Sequence, residues 1–340
     1  MNRNMTTAIL TAAVSAALAL TASAEETTFD VGIVKFVDDA SLNQIEQAIM
    51  DELDVLGEEM GVTFNVTNYD GAADATLLSQ FASELVGNEV DAIVPIATPA
   101  AVIMQSATED SQIPVIFSAI SDPETAGLVE SNDAPGSNVT GTSDALNTDA
   151  IFELITAADE DISKIGLLYS TSEDSSKKPV ERMKELCEEA GIEVVEKTGT
   201  NSEEVIQAAQ ALIGEGVEAV FTPTDNTIMT AELAIYESFI EAGIPHYCGA
   251  DSFALNGAFL GYGVNYVDLG TATADMVADI LVNGADPAET PVQMLDNGIA
   301  TVNTETAEAL GLDYSMFADM DVCADVVETV TALSFDDLEE

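Results

Sequence analysis

Positive charge is scarce in this sequence. The 340 residues include 8 Lys and Arg against 62 Asp and Glu, which gives a formal net charge of −54 at pH 7. A surface this negative repels nucleic acids and anionic membranes, so we exclude both as partners. The same charge also repels itself, and salt screens that repulsion. Two explanations of the acidity remain open, general solubility and adaptation to a saline habitat, and we favour the second.

The residues that most enzymes and metal sites use are also few. The sequence has one histidine, His246, three cysteines with no CxxC pair, and no tryptophan. It contains no GxSxG elbow, no P-loop and no GxGxxG motif. With 62 Asp and Glu, any single carboxylate pair is uninformative. We therefore predict a protein that is not an enzyme, with no catalytic residues, no metal site and no cofactor. Cys187 and Cys248 are expected to be buried thiols, with one disulfide as the alternative.

The first 24 residues have the three parts of a secretory signal peptide. Arg3 supplies the positive start, an apolar run covers 5–20, and 21–24 end in Ala-x-Ala. We predict cleavage after Ala24 and a mature protein in the periplasm or outside the cell. A membrane anchor is the alternative, but the run is short for a bilayer and no polybasic segment follows it.

After the leader, strand and helix patterns alternate in two successive series. The predicted strands are 29–37, 62–68, 90–96, 114–120 and 138–141 in the first series, and 164–170, 192–198, 219–223, 245–250 and 258–264 in the second. The predicted helices are 39–60, 75–85, 99–108 and a short 122–130, then 148–158, 176–190, 202–213, 227–242 and 269–282. Such alternation is typical of parallel sheets with helical crossovers. The fold class is therefore α/β, with two similar parallel-sheet, Rossmann-like lobes and a boundary near 141–144.

Ligands of such folds bind beyond the carboxyl ends of the strands, where loops meet helix N-termini. The predicted strand ends are rich in hydroxyl groups with a few carboxylates, which suits hydrogen bonding to a small polar molecule. The candidate ligand-binding residues are Phe36, Thr98, Ser118, Ala119, Tyr169, Asp225, Asn226, Asp251, Phe253 and Tyr262.

Several of these loops carry specific motifs. The run PVIFSAISDP at 114–123 is followed by AGLV at 126–129 and PGSNVTGTS at 135–143. The match continues at 98–101, 222–227, 257–262 and 303–312. With these motifs, nearly the whole mature chain resembles the ABC-transporter substrate-binding family related to tryptophan and tyrosine uptake binding proteins.

The resemblance implies a type I periplasmic-binding-protein fold, with two lobes joined by a hinge that close on a ligand. Lobe 1 would contain 25–143 and about 262–300, and lobe 2 would contain 144–261 and about 301–340. The partners it implies are a small amino-acid-like solute, with aromatic ones included, and the permease subunits of an ABC importer. The protein itself would be a monomer. Two features depart from the family: the first strand ends in KFVDD at 35–39, where relatives often have a His-Pro turn, and the lipid-anchoring cysteine of many Gram-positive relatives is missing.

Within that interpretation each candidate residue has an expected role. Thr98, Ser118 and Ala119 precede helices whose free N–H groups can hold a carboxylate, and the alternative is that the hydroxyls only cap those helices. Asp225 or Asp251 is expected to meet the ligand's ammonium group, with solvent-facing caps as the alternative. The aromatic candidates would form a wall for the side chain, or pack the core instead: Phe36, Tyr169, Phe253 and Tyr262.

Three other functions compete with amino-acid transport. A ligand-sensing module for a receptor would have the same sequence features, and the genes next to it would separate the two. A sugar-binding protein would usually have stacking aromatics and an arginine at the site, and no Arg lies at a predicted strand end. A hydrolase on the same scaffold would need a nucleophile and a base within hydrogen-bond reach, for which the chain offers little.

Overall fold

The computed structural model describes residues 27–295 and 298–335. The signal peptide predicted at 1–24, with its cleavage site, lies outside the described residues. Among the residues that are described, no helix is both long and apolar enough to cross a bilayer.

Strands and helices alternate along the described chain. The strands are β1 Thr27–Lys35, β2 Val62–Asp70, β3 Ala92–Ile96, β4 Val115–Phe117, β5 Val139–Ser143, β6 Lys164–Tyr169, β7 Glu193–Thr198, β8 Ala219–Thr222, β9 His246–Cys248, β10 Leu260–Gly263, β11 Gln293–Met294, β12 Ile299–Asn303 and β13 Asp325–Thr329. The helices are α1 Ala40–Met60, α2 Ala75–Gly87, α3 Thr98–Thr108, α4 Thr148–Ala158, α5 Lys177–Ala190, α6 Ser202–Glu215, α7 Asn226–Met229, α8 Glu232–Ala242, α9 Asp251–Leu255, α10 Tyr266–Leu281 and α11 Thr304–Leu310.

The strands form two sheets. The first has the order β11-β5-β4-β3-β1-β2 with parallel pairs, and the second has the order β13-β12-β10-β9-β8-β6-β7. The pair β10–β12 is antiparallel, while the neighbouring pairs of that sheet are parallel. The chain passes between the sheets after β5, after β10 and after β11. The α/β prediction with two parallel-dominated sheets is confirmed, and the carboxyl ends of both sets of strands face the connections between them.

Helix α10 returns from the second sheet to pack on the first lobe, where it lies against α1. Gly270 makes this packing close, because a Cβ at that position would lie 2.7 Å from the Cβ of Ala48 and from the backbone oxygen of Ile45. The buried apolar faces of both helices join the core of the first sheet. This return places Tyr266, the first residue of α10, at the edge between the two lobes.

One predicted helix is absent from the described structure. Residues 122–130 form turns rather than a helix. Asp122 accepts a hydrogen bond from the backbone N–H of Thr125, and Gly127 has a left-handed φ of 72°, which no continuous right-handed helix contains. The three cysteines are free thiols, with Cys187 and Cys248 buried.

Candidate functional site

A cleft lies between the carboxyl ends of the two sheets. It encloses about 350 Å³ of empty space, part of it open to solvent. Its lining residues come from both lobes: Asp39, Ser41, Leu42, Ala97, Thr98, Ala119, Ser121, Asp144, Ser175, Thr224, Asn226, Met229, Ala250 and Tyr266. This described lining contains two carboxylates and no Lys, Arg or His. Only about 20 Å³ of this space is cavity, about the room of one water molecule.

The first-lobe wall of the cleft is an uncapped helix N-terminus. Helix α3 starts at Thr98, and no described side chain caps its first turn. Ala97, at the cap position, has a φ of 76°, and Ala119 has a φ of 57°. Left-handed backbone at non-glycine residues is costly, and strain of this kind is found at ligand sites. The free N–H groups and the positive end of the α3 dipole can therefore receive an anion without a basic side chain.

Three aspartates surround Tyr266 beside this wall, two of them buried and the third, Asp251, half-buried, and we name Asp39, Asp144 and Asp251 the acidic cluster. Burial raises the pKa of Asp39 and of Asp144 to about 6. Burial, together with the charge of Asp39, raises the pKa of Asp251 to about 7. Burial raises the pKa of the Tyr266 phenol well above its usual value, and all three carboxylates add to that effect. The acidic cluster therefore presents negative charge to the cleft with no cation in its described lining.

The carboxylates of the acidic cluster accept few hydrogen bonds. Asp39 accepts from the backbone N–H groups of Ser41 at 2.9 Å and Leu42 at 3.4 Å, as the N-cap of α1. Asp144 accepts from the Ser121 hydroxyl at 2.9 Å. Buried carboxylates need a partner of opposite charge or several donors. The cluster is thus suited to a ligand that brings a positive charge.

Ser41 links the two lobes across the cleft. Its hydroxyl donates to Asp251 at 2.5 Å and accepts from the backbone N–H of Ser252 at 3.3 Å. Ser41 belongs to α1 and the other two residues to the short helix α9, so we name these three residues the interlobe latch. A second link is the ion pair between Lys178 and Asp122, with the nitrogen and oxygen 2.8 Å apart. Both contacts join the two lobes beside the cleft.

The carboxylates behind the second-lobe wall accept hydrogen bonds from their own lobe. Asp225 is 1 % exposed and caps α7. Its oxygens accept from the backbone N–H groups of Thr227, Ile228 and Ser170 and from the hydroxyl of Ser176, at 2.6 to 3.1 Å. Four donors satisfy this carboxylate within the lobe. Asp225 therefore stabilises the strand-to-helix loops and does not face the cleft.

Glu173 lies next to Asp225 and is held by cleft residues. Asn226 lines the cleft, and its side-chain amide donates to Glu173 at 3.3 Å, as does the hydroxyl of Thr227. Burial and the neighbouring charge of Asp225 raise the pKa of Glu173 to about 8. Glu173 therefore holds its proton more tightly than an ordinary carboxyl group does.

The structure brings some of the sequence-predicted residues together in the cleft. Thr98, Ala119 and Asn226 line it, and Asp251 stands at the interlobe latch. Ser118 lies behind the wall: it is fully buried, and its hydroxyl contacts the hydroxyl of Thr273 at 2.8 Å. Ser118 thus fixes α10 to the first sheet rather than capping α3.

The aromatic residues predicted to form a wall lie elsewhere. Phe253 is fully buried in the second-lobe core, and the Tyr262 hydroxyl donates to the backbone oxygen of Val322. The Tyr169 hydroxyl donates to Glu196 on the surface, and Phe36 packs half-buried against the first-lobe core. Successive strand residues point to opposite faces, so nearness to a strand end does not aim a ring into the cleft. Tyr266 is the aromatic residue among the cleft lining.

The sequence did not identify Asp39, Asp144 or Tyr266 as cleft residues. Asp39 had a local signal, because an aspartate directly before an amphipathic run is typical of a helix N-cap. Asp144 fell at the predicted lobe boundary, where a hinge rather than a ligand contact was expected. Tyr266 had no signal, since only the return of α10 to the first lobe places it in the cleft.

Three comparisons with known proteins agree with this architecture. A family model described as ABC transporter substrate binding protein matches residues 30–318. A tyrosine-binding protein from Clostridioides difficile is 32% identical over 283 residues, which cover 83% of this chain and 81% of the relative.

Two solved structures resemble the chain closely. An ABC domain from Streptococcus pneumoniae in complex with L-Trp is 33% identical with a TM-score of 0.80, covering 88% of this chain and 100% of that one. A ligand-free, open structure of a substrate-binding protein with adhesive properties from Clostridium difficile is 30% identical with a TM-score of 0.68, covering 89% and 100%. The TM-score is higher for the structure with bound L-Trp than for the ligand-free, open one.

Proposed function

This chain belongs to the ABC transporter substrate-binding protein family, and we propose that it captures an α-amino acid outside the cytoplasm and delivers it to a membrane permease. The observation that carries the proposal is the pairing of opposite sites in one cleft. The acidic cluster is suited to an ammonium group, and the uncapped N-terminus of α3 is suited to a carboxylate. A zwitterion presents both groups at a short, fixed separation.

Two relatives support an amino acid as the ligand. One is a tyrosine-binding protein, and another was solved with L-Trp. In this chain Leu42, Met229 and Tyr266 give the cleft an apolar portion. Such side chains, and methionine above all, adapt their packing to a ligand side chain. Aromatic amino acids are therefore among the first ligands to test.

Lobe closure is the proposed mechanism of capture. Closing brings Asp39 from lobe 1 and Asp251 from lobe 2 close enough for each charge to disfavour the other. A ligand ammonium between the lobes would offset this repulsion, so the ligand would favour the closed state. The interlobe latch at Ser41 would then hold that state until the protein meets the permease.

The setting of the protein is part of the proposal. We infer a leader cleaved after Ala24, a free monomer in the periplasm or outside the cell, and adaptation to high salt. The net charge of −54 supports the last inference, because counter-ions reduce repulsion within and between the lobes. Thermal unfolding of residues 25–340 in low and high salt tests it, and equal melting temperatures would contradict it.

Binding calorimetry on the mature chain tests the ligand class. Tyrosine and its des-amino analogue form a matched pair that differs in the ammonium group. Tyrosine should bind at least tenfold more tightly, and Asp144→Asn should remove most of that difference while keeping the acceptor for Ser121. Asp133→Asn, an exposed change away from the cleft, is the control. A chain that binds none of the twenty amino acids would disprove the proposal.

A further inference from the structure

A second cavity adjoins the cleft, and the two share Ser121 and Ser175. It contains about 690 Å³ of space, much of it open to solvent, between the same two lobes. We name it the side pocket; it is lined by Ser121, Asp122, Pro123, Asn132, Ala145, Leu146, Asn147, Thr148, Asp149, Ser175, Lys178, Pro179, Arg182 and Met294. The two shared serines place the two cavities side by side.

Three buried polar atoms of the side pocket have no hydrogen-bond partner in the described structure. They are Oδ2 of Asp122, Oδ1 of Asn132 and Oγ of Ser175. Asp122 is 8 % exposed, Ser175 is 3 % exposed, and Asn132 is half-buried. Such atoms are rare in folded proteins, and each one needs an explanation. Because all three lie at one cavity, we infer that a ligand supplies their missing hydrogen bonds.

The charged groups of the side pocket are already paired. Asp122 accepts from Lys178 at 2.8 Å through its other oxygen, Oδ1. Arg182 donates from two nitrogens to the two oxygens of Asp149, at 3.0 and 2.6 Å. Two cations therefore balance two carboxylates along this lining. A charged ligand group would therefore gain little binding free energy here. A neutral polar group can form hydrogen bonds with the three unpaired atoms.

A primary carboxamide has the complementary set of groups. Its amide nitrogen has two N–H donors, and its oxygen is an acceptor. The pocket offers two acceptors, on Asp122 and Asn132, and the Ser175 hydroxyl as a donor. We propose that the side pocket binds the primary carboxamide of the ligand whose ammonium group lies on the acidic cluster. The ligand is then an amino acid of the glutamine type, an inference that rests on the proposed amino-acid function.

Other side chains fit the side pocket less well. A carboxylate would face the unpaired oxygens of Asp122 and Asn132, and an ammonium group would lie near Lys178 and Arg182. An apolar side chain would leave all three polar atoms unpaired and buried. Sites built to hydrogen-bond a ligand reject analogues that lack the matching group far more strongly than apolar pockets reject a change in size.

Calorimetry with close analogues tests the inference. Glutamine should bind at least tenfold more tightly than methionine and at least a hundredfold more tightly than glutamate. Asp122→Asn should weaken glutamine at least tenfold and reduce its advantage over glutamate, because a donor replaces an acceptor. This variant also removes the interlobe ion pair with Lys178, which could weaken every ligand. The affinity for methionine measures that general loss, and it should fall by no more than threefold. Ser175→Ala should also weaken glutamine selectively, and Asp133→Asn is the unchanged control.

The outcomes separate this inference from the proposed function. Equal binding of glutamine and methionine means that water alone satisfies the side pocket, and overturns the carboxamide while amino-acid binding stands. Tighter binding of tyrosine or tryptophan than of glutamine overturns it in the same way. If no amino acid binds, both proposals fail together.

Discussion

Asp39 in the first lobe and Asp225 in the second are both N-caps of helices that follow parallel strands, yet their surroundings differ. Both are buried aspartates that cap the helix following a strand. Asp225 accepts four hydrogen bonds from its own lobe, whereas Asp39 accepts two from the α1 backbone and lines the cleft. A saturated carboxylate stabilises a loop, and an under-satisfied one at a cavity is available to a ligand. Burial and position in the sequence alone do not distinguish these roles.

The largest expected effect is on stability, at Asp225. Asp225→Ala would leave the N–H groups of Ser170, Thr227 and Ile228 and the hydroxyl of Ser176 without their acceptor. Because buried donors without partners are costly, the free energy of unfolding should fall by about 3 kcal/mol or more. Urea unfolding measures it. Asp39→Asn should cost about 1 kcal/mol at most but weaken ligand binding more, and equal stability losses at the two sites would refute the comparison.

The acidic cluster should make stability depend on pH. Each of Asp39, Asp144 and Asp251 has a raised pKa in the folded protein, so the folded state binds these protons more tightly than the unfolded chain. Stability should therefore fall as the pH rises from about 4 to about 7 through these groups, by about 2 kcal/mol or more in total. The melting temperature of the unliganded protein should be higher at pH 5 than at pH 8.

Asp251→Asn sharpens that test, because it removes the member with the highest pKa while keeping an acceptor for Ser41. The difference in melting temperature between pH 5 and pH 8 should shrink in this variant. Asp133→Asn should leave it unchanged. A pH profile that is the same in the wild type and in Asp251→Asn would show that the cluster is not its source.

The interlobe latch should have a smaller effect, on closure rather than on folding. Ser41→Ala removes the hydroxyl that joins α1 to α9, so the lobes should open more readily without ligand. Loss of about 1 kcal/mol of closing free energy would weaken ligand binding about fivefold. Small-angle scattering of the free protein should show a larger radius. Ser79→Ala, whose hydroxyl bonds within α2, is the matched control, and equal radii for both variants would contradict the latch.

The smallest effect is expected at Tyr169. Its hydroxyl contacts Glu196 at the surface, so Tyr169→Phe should change the free energy of unfolding by less than about 0.5 kcal/mol. Ligand affinity should stay within twofold. A larger loss of affinity would show that the Tyr169 ring contacts the ligand and belongs to the second-lobe wall.

The strand and helix pattern was predictable because apolar residues recur along the chain with the period of each element. The apolar runs of β1, β3 and β6 and the amphipathic face of α1 appear in the sequence at nearly their structural bounds. Thr98 and Asn226 were predictable as cleft residues once the strands were known. The loops that follow parallel strands all lie at one edge of the sheet. The turn region at 122–130 was not, because Asp122 bonds to the backbone of its own turn.

The sequence by itself determined the fold class, the family resemblance and the scarcity of positive charge. Only the tertiary structure decided which carboxylates face the cleft. Asp39, Asp144 and Asp251 lie far apart along the chain, and they meet around Tyr266 because α10 returns to the first lobe and α9 meets α1. Asp225 has the same local signal as Asp39 but finds four donors in its own lobe. Hydrogen bonds between distant segments, which no local pattern records, make one aspartate structural and leave the other available to a ligand.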